Sequence, residues 1–543
     1  WRTDGTAAGT WMVIDLSSGS EYGDIYAMTA IGSTLYFVAD TSEFATELWR
    51  SDGTAAGTML VKDIYPGANS GLNLYSKLLV FSGEMYFAGY DPDHGTEIWK
   101  SDGTTPGTIR ITDIPGTNFA DINPVITTTG ALFFVMDDGV HGRELWTSDG
   151  TPEGTSLVLD ITAGGDSKIT DLTAAGTRAF FELEVGPTFS STFQLWTSDG
   201  TEPGTVMLLD FGSDPFARFG IRWGFGFNNK FFFEAPSDTS GREPWVSDGT
   251  TGGTMILTDI NPGTDGSSPN DFTPALGSLF FVAADPTNGW RLWKTDGTTS
   301  GTEPVAALVD GNGLSIAERA GLIFFRAGSE LWQSDGTTAG TSAVTTGMNL
   351  YPTNLHAGAA TLFFASDDGT TGNELWKSDG TAMGTALVRN IAPEVASSDP
   401  RQFVTLGNVA LFVATDSVHG DELWRTDGTT AGTWMVKDIN TEEGSGTDFS
   451  FHLVAGGFLY FVAFTNDHGR ELWRTDGTES GTILLRDINE GGDHAHPSDL
   501  VELGGLILFT AEDADQGREL WRTDGTPAGT VLVKDVNPGP DGG

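Results

Sequence analysis

The chain reads as an all-β protein, a β-propeller built from four-stranded antiparallel blades. Three observations predict this. The triplet Asp-Gly-Thr recurs at twelve aligned positions, with its Asp at 4, 52, 102, 149, 199, 248, 296, 335, 379, 427, 476 and 524. The interval stays near 48 residues, apart from two shorter steps that end at 335 and 379. Each unit also holds four short strand-like runs, and a period of about 40–50 residues with four strands marks propeller blades rather than helical solenoids.

One unit shows the four runs in order. They are Leu78-Leu79-Val80-Phe81 (a), Met85-Tyr86-Phe87-Ala88 (b), Glu97-Ile98-Trp99-Lys100 (c) and Ile109-Arg110-Ile111-Thr112 (d). Ser82-Gly83-Glu84 between a and b suits a tight hairpin. Between c and d, the run from Ser101 to Thr108 supplies an Asp-Gly and a second Gly for positive φ values. The longest and most variable connection runs from d to the next a, where a propeller chain crosses from the outer edge of one blade to the inner strand of the next. Run b is dense in aromatics, as in Leu35-Tyr36-Phe37-Val38 and Phe231-Phe232-Phe233, which fits sheets covered on both faces. The two-residue period of a strand puts Leu48 and Trp49 on opposite faces, each available to a different neighbouring blade.

The sequence opens inside run c. Residues 1–20 therefore form an N-terminal half blade with the last two strands only, and 21–543 form an array of eleven four-stranded blades. The last blade, from about Leu500 to Val536, already has its four runs, so closure by an N-terminal strand that completes it does not follow. The steady period without an inserted linker predicts one large ring or curved array. Departures at Gln194, Pro244 and Arg291, and the ending Ser342-Ala343-Val344-Thr345, make the sector near 290–350 degenerate. Two smaller propellers meeting at 290–350 are the alternative.

With 74 acidic against 28 basic side chains the net charge is −46. A field of that sign repels polyanions and excludes nucleic acid and anionic membrane as partners. The acidity fits solubility, a saline medium or divalent-cation binding. Cysteine is absent, which removes disulfides and thiol chemistry. No apolar run approaches the roughly 20 residues of a spanning helix, so direct membrane insertion is not expected. The missing initiator Met and the opening at Trp1 lead us to expect a fragment or processed form whose export signal lies elsewhere.

The repeat Glu47-Leu48-Trp49-Arg50-Ser51-Asp52-Gly53-Thr54, with near copies beginning at 144, 374, 422, 471 and 519, resembles the bacterial ELWxxDGT repeat family of large secreted or surface-associated proteins. The resemblance covers essentially the whole chain. It implies a propeller-like fold and a secreted or cell-surface location, and it carries over no activity. The c–d hairpin also resembles the Asp-box turn of propeller sialidases, with its residues in a different order.

A residue present in every repeat is expected to hold the blade rather than to do chemistry at twelve places. Asp52, Thr54 and Thr58 read as an Asx-type turn, and Glu47 as a bond to a neighbouring strand or basic group. The b–c loops carry Asp91, Asp93, Asp137, Asp138, Asp367, Asp368, Asp416, Asp467, Asp513 and Asp515. Carboxylates two apart around a turn can converge on a hard cation, which makes calcium the candidate cofactor, but the same residues also serve a solvated turn. The loop histidines, one per blade, stand too far apart for a zinc centre. His494 and His496 beside Asp493 are the nearest pair. Asn261–Gly266 and Asn537–Gly542, in d–a loops, read as turns.

Residues that break the repeat are the better ligand candidates. They are Arg222 and Trp223, in the irregular stretch 216–226, and Trp290; an exposed Trp or Arg can stack on or grip a sugar or peptide. No nucleophile elbow, P-loop, dinucleotide fingerprint or zinc-protease motif occurs. The sequence thus predicts a non-enzymatic extracellular propeller acting in adhesion, recognition or surface assembly, with calcium as a candidate stabiliser and a glycan, a protein or another copy as partner. The alternatives are a polysaccharide-active enzyme with a site on a propeller face, and a self-assembling filament protein.

Overall fold

The computed structural model describes residues 1–4, 6, 8–14, 16, 25–41, 43–67, 69–73, 76–113, 125–126, 130–186, 191–212, 221–237, 239–307, 315–393, 395–441 and 446–534. Among them stand eleven four-stranded sheets and no helix, each sheet antiparallel with its strands in chain order. The first blade consists of a (Ile25–Ile31), b (Thr34–Thr41), c (Ala45–Ser51) and d (Met59–Lys62); the eleventh ends with Val531–Lys534. Inner strands of successive blades approach one another around the centre. The protein is an eleven-bladed β-propeller.

Strand c sets how blades meet. A register shift between Leu48 and Trp49, repeated between Leu423 and Trp424 and between Leu520 and Trp521, accompanies their opposite-face packing. Leu48 packs with Val38, Val61, Phe87 and Trp99 toward the second blade, whereas Trp49 packs with Phe37, Ala39 and Leu16 toward the N-terminal segment. Fully burying side chains of this size contributes about 2–3 kcal/mol each. The degenerate sector is not a boundary between rings. Phe280, Leu292 and Phe325 form one core between the sixth and seventh blades, and Phe324, Leu350, Phe364 and Trp376 form the next. The alternative of two propellers meeting at 290–350 is thereby corrected: the weakened repeat still buries enough aromatic surface to continue the stack.

The ring closes through the N-terminal half blade. Lys534 at the end of the eleventh blade lies 4.2 Å from the Trp1 ring centre and donates to the Thr10 carbonyl at 3.5 Å, while Arg2 donates to the Gly53 carbonyl at 3.1 Å. Whole blades use the same latch: Lys62 lies 5.1 Å from the Trp99 ring and donates to the Thr108 carbonyl at 2.9 Å, and Lys437 bears the same relation to Trp473 and Thr482. Residues 1–16 thus take a blade's place with one antiparallel bridge, Arg2 to Trp11. Trp1 is 43% exposed where Trp49 is 6%, because Phe37 of strand b pairs with Trp49 and no described strand pairs with Trp1.

The twelve Asp-Gly-Thr turns are alike. Asp52 Oδ1 accepts the Thr54 N–H at 2.8 Å and the Thr54 hydroxyl at 2.7 Å; the Thr54 Oγ1 accepts the Gly57 N–H, and the Thr58 hydroxyl returns to the Thr54 carbonyl. A Cβ on Gly57 would sit 2.0 Å from Asp52 Oδ1, so the second glycine is sterically required.

Glu47 and its equivalents hold the crossing from one blade to the next. Most are buried, and several accept backbone N–H groups of the d–a connection: Glu47 from Tyr65 and Gly71, Glu374 from Ile391 and Ala392, Glu422 from Ile439 and Asn440. Ser398 and Ser267 add hydroxyls to Glu374 and Glu243. Burial pushes the carboxyls of Glu47, Glu422 and Glu471 up to about 8, against the N–H bonds, which favour the charged form.

A carboxyl raised in this way binds more protons in the folded than in the unfolded chain. Its stabilisation is complete below the ordinary value of 4.5 and is lost as pH rises through about 8. The turn aspartates act oppositely: bonds from Thr54 hold Asp52 below 3.8, so its contribution is present above that value and lost in stronger acid. We expect the melting temperature to peak near about pH 5 and to fall toward about pH 9. Glu471→Gln should flatten that fall relative to wild type in a pH series of thermal melts; equal slopes would refute the assignment.

Candidate ligand-recognition site on the inner strands

Strand a carries a recurrent irregularity. Its pairing with b skips two residues between Tyr26 and Thr29, Thr170 and Thr173, Arg222 and Phe225, Asn270 and Thr273, Thr353 and His356, Arg401 and Val404, and Ser498 and Val501. The first skipped residue is left-handed each time: Ala27, Asp171, Trp223, Asp271, Asn354, Gln402 and Asp499 have φ between 44° and 57°. Bulges re-aim side chains, and these lie on the strands nearest the ring centre. Asp and Asn accept this conformation at modest cost, but a bulky aromatic does so only under local strain.

Trp223, with φ of 57°, is that aromatic, and it is 56% exposed. Beside it a cavity of about 110 Å³ is lined by Asp171, Thr173, Phe181, Ile221, Gly224 and Phe231. Gly224 is small because a Cβ there would lie 2.9 Å from the Phe231 ring. The cavity is well below the roughly 300 Å³ of an enclosing ligand site, so it admits a substituent while the body of a ligand lies across the indole. Carbohydrate suits this arrangement, since an apolar sugar face stacks on indole while hydroxyls meet Asp171 and Thr173.

The neighbouring charges are structural. Gln194 stands where other blades have Glu, accepts the Trp196 indole N–H and donates to Asp210. Glu182, on strand b opposite Leu195, supplies the missing anchor by accepting the Ile221 N–H at 2.6 Å, and burial pushes it up to about 7. Arg222 faces Glu234 across the ladder, and Arg242 lies 3.6 Å from Glu234; their charges oppose the burial that raises Glu234. In the sixth blade Arg291 replaces Glu and pairs with Asp285 at 3.0 Å, while in the fifth Pro244 still accepts the Leu257 N–H through its carbonyl.

Of the other sequence candidates, Trp290 does not join Trp223. It sits on strand c (Gly289–Thr295) and packs against the core between the sixth and seventh blades. Positions 216–220 and 537–542 lie outside the described residues. In the b–c loops the leading aspartates cap their own turns. Asp91 Oδ1 accepts the N–H groups of Asp93 and His94 and meets His94 Nδ1 at 2.8 Å, and Arg110 lies 3.2 Å from its second oxygen. Asp138 and Asp416 repeat this pattern with His141 and His419. Asp137 and Asp367 accept the N–H of Gly139 and Gly369, Asp368 accepts from Thr370 and Thr371, and Asp513 accepts from Asp515 and Gln516. Asp93, Asp467 and Asp515 are exposed. His494 and His496 stack edge-on, and Asn261 closes its loop onto the Gly266 carbonyl. Among the described residues no group of three or more His, Asp or Glu is placed to hold a metal ion.

Neither a family model nor a curated protein matches the sequence. Among solved structures, the chain is similar to the tricorn protease at 13% identity and a TM-score of 0.26, covering 92% of this chain and 49% of that one. It therefore spans about half the length of that enzyme. The extracellular domain of the putative one-component system BT4673 from B. thetaiotaomicron aligns at 12% identity and a TM-score of 0.27, over 95% of this chain and 67% of the other. The β-propeller domain of the Trilobed protease from Pyrococcus furiosus, described as an open velcro topology, aligns at 12% identity and a TM-score of 0.23, over 68% and 99%. At such scores these likenesses carry no argument about activity.

Because the leading aspartates already accept turn N–H groups, thermal melts in excess calcium and in excess chelator are expected to coincide. A calcium-dependent rise of several degrees would instead assign the loops to a cation.

Proposed function

We propose that the protein is a non-enzymatic recognition module of the ELWxxDGT type, exported to the cell surface or medium, and that it binds an extracellular glycan at the inner strands around Trp223. The observation that carries this reading is Trp223 itself: a large aromatic held exposed at a left-handed bulge position that other blades give mostly to Asp, Asn or Gln. Strain of this kind persists where surrounding structure enforces it, and an exposed indole beside Asp171 and Thr173 matches a sugar's apolar face and hydroxyl edge. Adhesion or surface assembly would follow from presenting such a site on a ring.

A glycan array probed with wild type and Trp223→Ala tests the proposal. Loss of roughly tenfold or more in affinity is expected on removing the indole, since stacking and burial together contribute more than about 1.4 kcal/mol. The melting temperature should change little, because alanine keeps the Cβ that makes the left-handed position costly and the indole removed is 56% exposed. Equal binding by the variant, or no glycan binding by wild type, would overturn the reading.

A further inference from the structure

The seam between the second and third blades lacks a cation latch, as do the seams from the third blade to the eighth, where Leu159, Leu209, Thr258, Ala306 and Thr345 hold the position of Lys62. Five seams carry it: Lys62, Arg389, Lys437, Arg486 and Lys534 lie 4.2–5.8 Å from the ring centres of Trp99, Trp424, Trp473, Trp521 and Trp1. Each also donates to a backbone carbonyl of the next blade's turn, at Thr108, Thr433, Thr482, Thr530 and Thr10. The corresponding residue in the second blade is Thr112, whose hydroxyl accepts the Ile98 N–H at 2.9 Å. A second tie found at some seams is also absent here. Thr105 and Thr430 donate to the carbonyls of Val61 and Val388 in the preceding blade, but that position in the third blade is Pro152, whose side chain has no donor, as it is Pro527 in the latched eleventh.

Arg110 does not fill the vacancy. Its guanidinium lies 6.0 Å from Trp99 of its own blade, 3.2 Å from Asp91 and 3.5 Å from Asp113. What remains is a cavity of about 630 Å³ whose walls include Trp99, Trp146, Thr155, the carboxylates of Asp91 and Asp113, and the cations Lys62 and Arg110, with Arg110 held against the two carboxylates. That volume is in the range of sites for small ligands. Trp146 and Thr155 are the equivalents of Trp99 and Thr108, the indole and carbonyl that Lys62 engages one seam earlier.

We infer that this cavity is a seat for an alkylammonium or guanidinium group, the side chain of a lysine or arginine presented by a peptide. The cation lies over the Trp146 indole, donates to the Thr155 carbonyl and is balanced by Asp113, as the chain's own Lys and Arg are seated at five other seams. Cation–π attraction together with a charge-assisted hydrogen bond selects the charged group over its apolar isostere. The overall charge of −46 adds long-range attraction for basic peptides. This site is separate from the inner rim and does not rest on the glycan reading.

Calorimetric titration of the full chain with the acetyl amides of lysine, arginine and norleucine tests it. Saturable binding of a basic probe, roughly tenfold or more tighter than norleucine, is expected; comparing lysine with arginine shows which cation fits. Thr112→Lys places a tethered ammonium in the seat and should abolish binding, with some loss of melting temperature because the Ile98 N–H loses its acceptor, whereas Thr112→Ser should bind as wild type. The proposal is overturned if the norleucine probe binds equally, if no basic probe saturates, or if folded Thr112→Lys binds as wild type does. Should Thr112→Lys not fold, the comparison of probes on wild type decides alone.

Discussion

The ring depends on one interaction above others, the buried carboxylate of the c-strand Glu against the backbone of the crossing chain. The d–a connection must leave the outer edge of one blade and reach the inner strand of the next, through a region where only some of its N–H groups, such as those of Leu72 and Ser398, meet a strand carbonyl. Buried donors without acceptors cost about 1–3 kcal/mol each, so the crossing needs acceptors supplied from within the blade. Glu47 provides two bonds from one oxygen, and Glu374 gathers two N–H groups and the Ser398 hydroxyl. Burial raises the proton affinity of these groups, which is the cost of placing an acceptor there. That Glu182 takes over on the adjacent strand when Gln194 occupies the usual site shows that the requirement lies in the crossing, not in strand c.

The contacts between blades explain why a half blade is sufficient to close the circle. At the five latched seams strand c supplies the indole, strand d the cation laid over the next indole, and the turn joining them the carbonyl that accepts it. Strands a and b complete the core and line the opening, but this latch passes through the outer pair alone. Residues 1–16 contain that pair, and Lys534 and Arg2 make the same contacts on either side of it as Lys62 and Arg425 make between whole blades. A complete twelfth blade is therefore not needed for the ring to be continuous.

Much of this was legible in the sequence. The period, the four runs, the opposed faces of Leu48 and Trp49, and the turn role of Asp52 all follow from patterns repeated often enough to outweigh local noise. The inner-strand bulges were not legible, because the residues at the left-handed position, mostly Asp, Asn or Gln but also Ala27 and Trp223, are common throughout this chain; backbone pairing creates the feature. The latch was visible as a Lys or Arg before Asp-Ile or Asn-Ile, as in Lys62-Asp63-Ile64 and Arg389-Asn390-Ile391, but its meaning depends on the next blade's indole about 37 residues on. Trp290 breaks the repeat as Trp223 does, but it lies on strand c and packs against the core between the sixth and seventh blades, a difference from Trp223 that the sequence pattern does not reveal.

A repeat protein gains specificity where its repeats fail, but failures are not equivalent. In the sixth blade the loss of Glu is absorbed by an Arg291–Asp285 pair, and in the fourth by Glu182, so the scaffold is restored and no new surface appears. At Trp223 the bulge is retained and only its occupant changes, which puts an aromatic surface where the frame otherwise presents polar groups. Between the second and third blades, where neither tie is present, a cavity opens beside an indole and a carbonyl that correspond to those of the latched seams. Regularity elsewhere is what gives these two exceptions their meaning: the rest of the ring specifies the chemistry that each position ordinarily satisfies, and hence the chemistry that a ligand would have to supply.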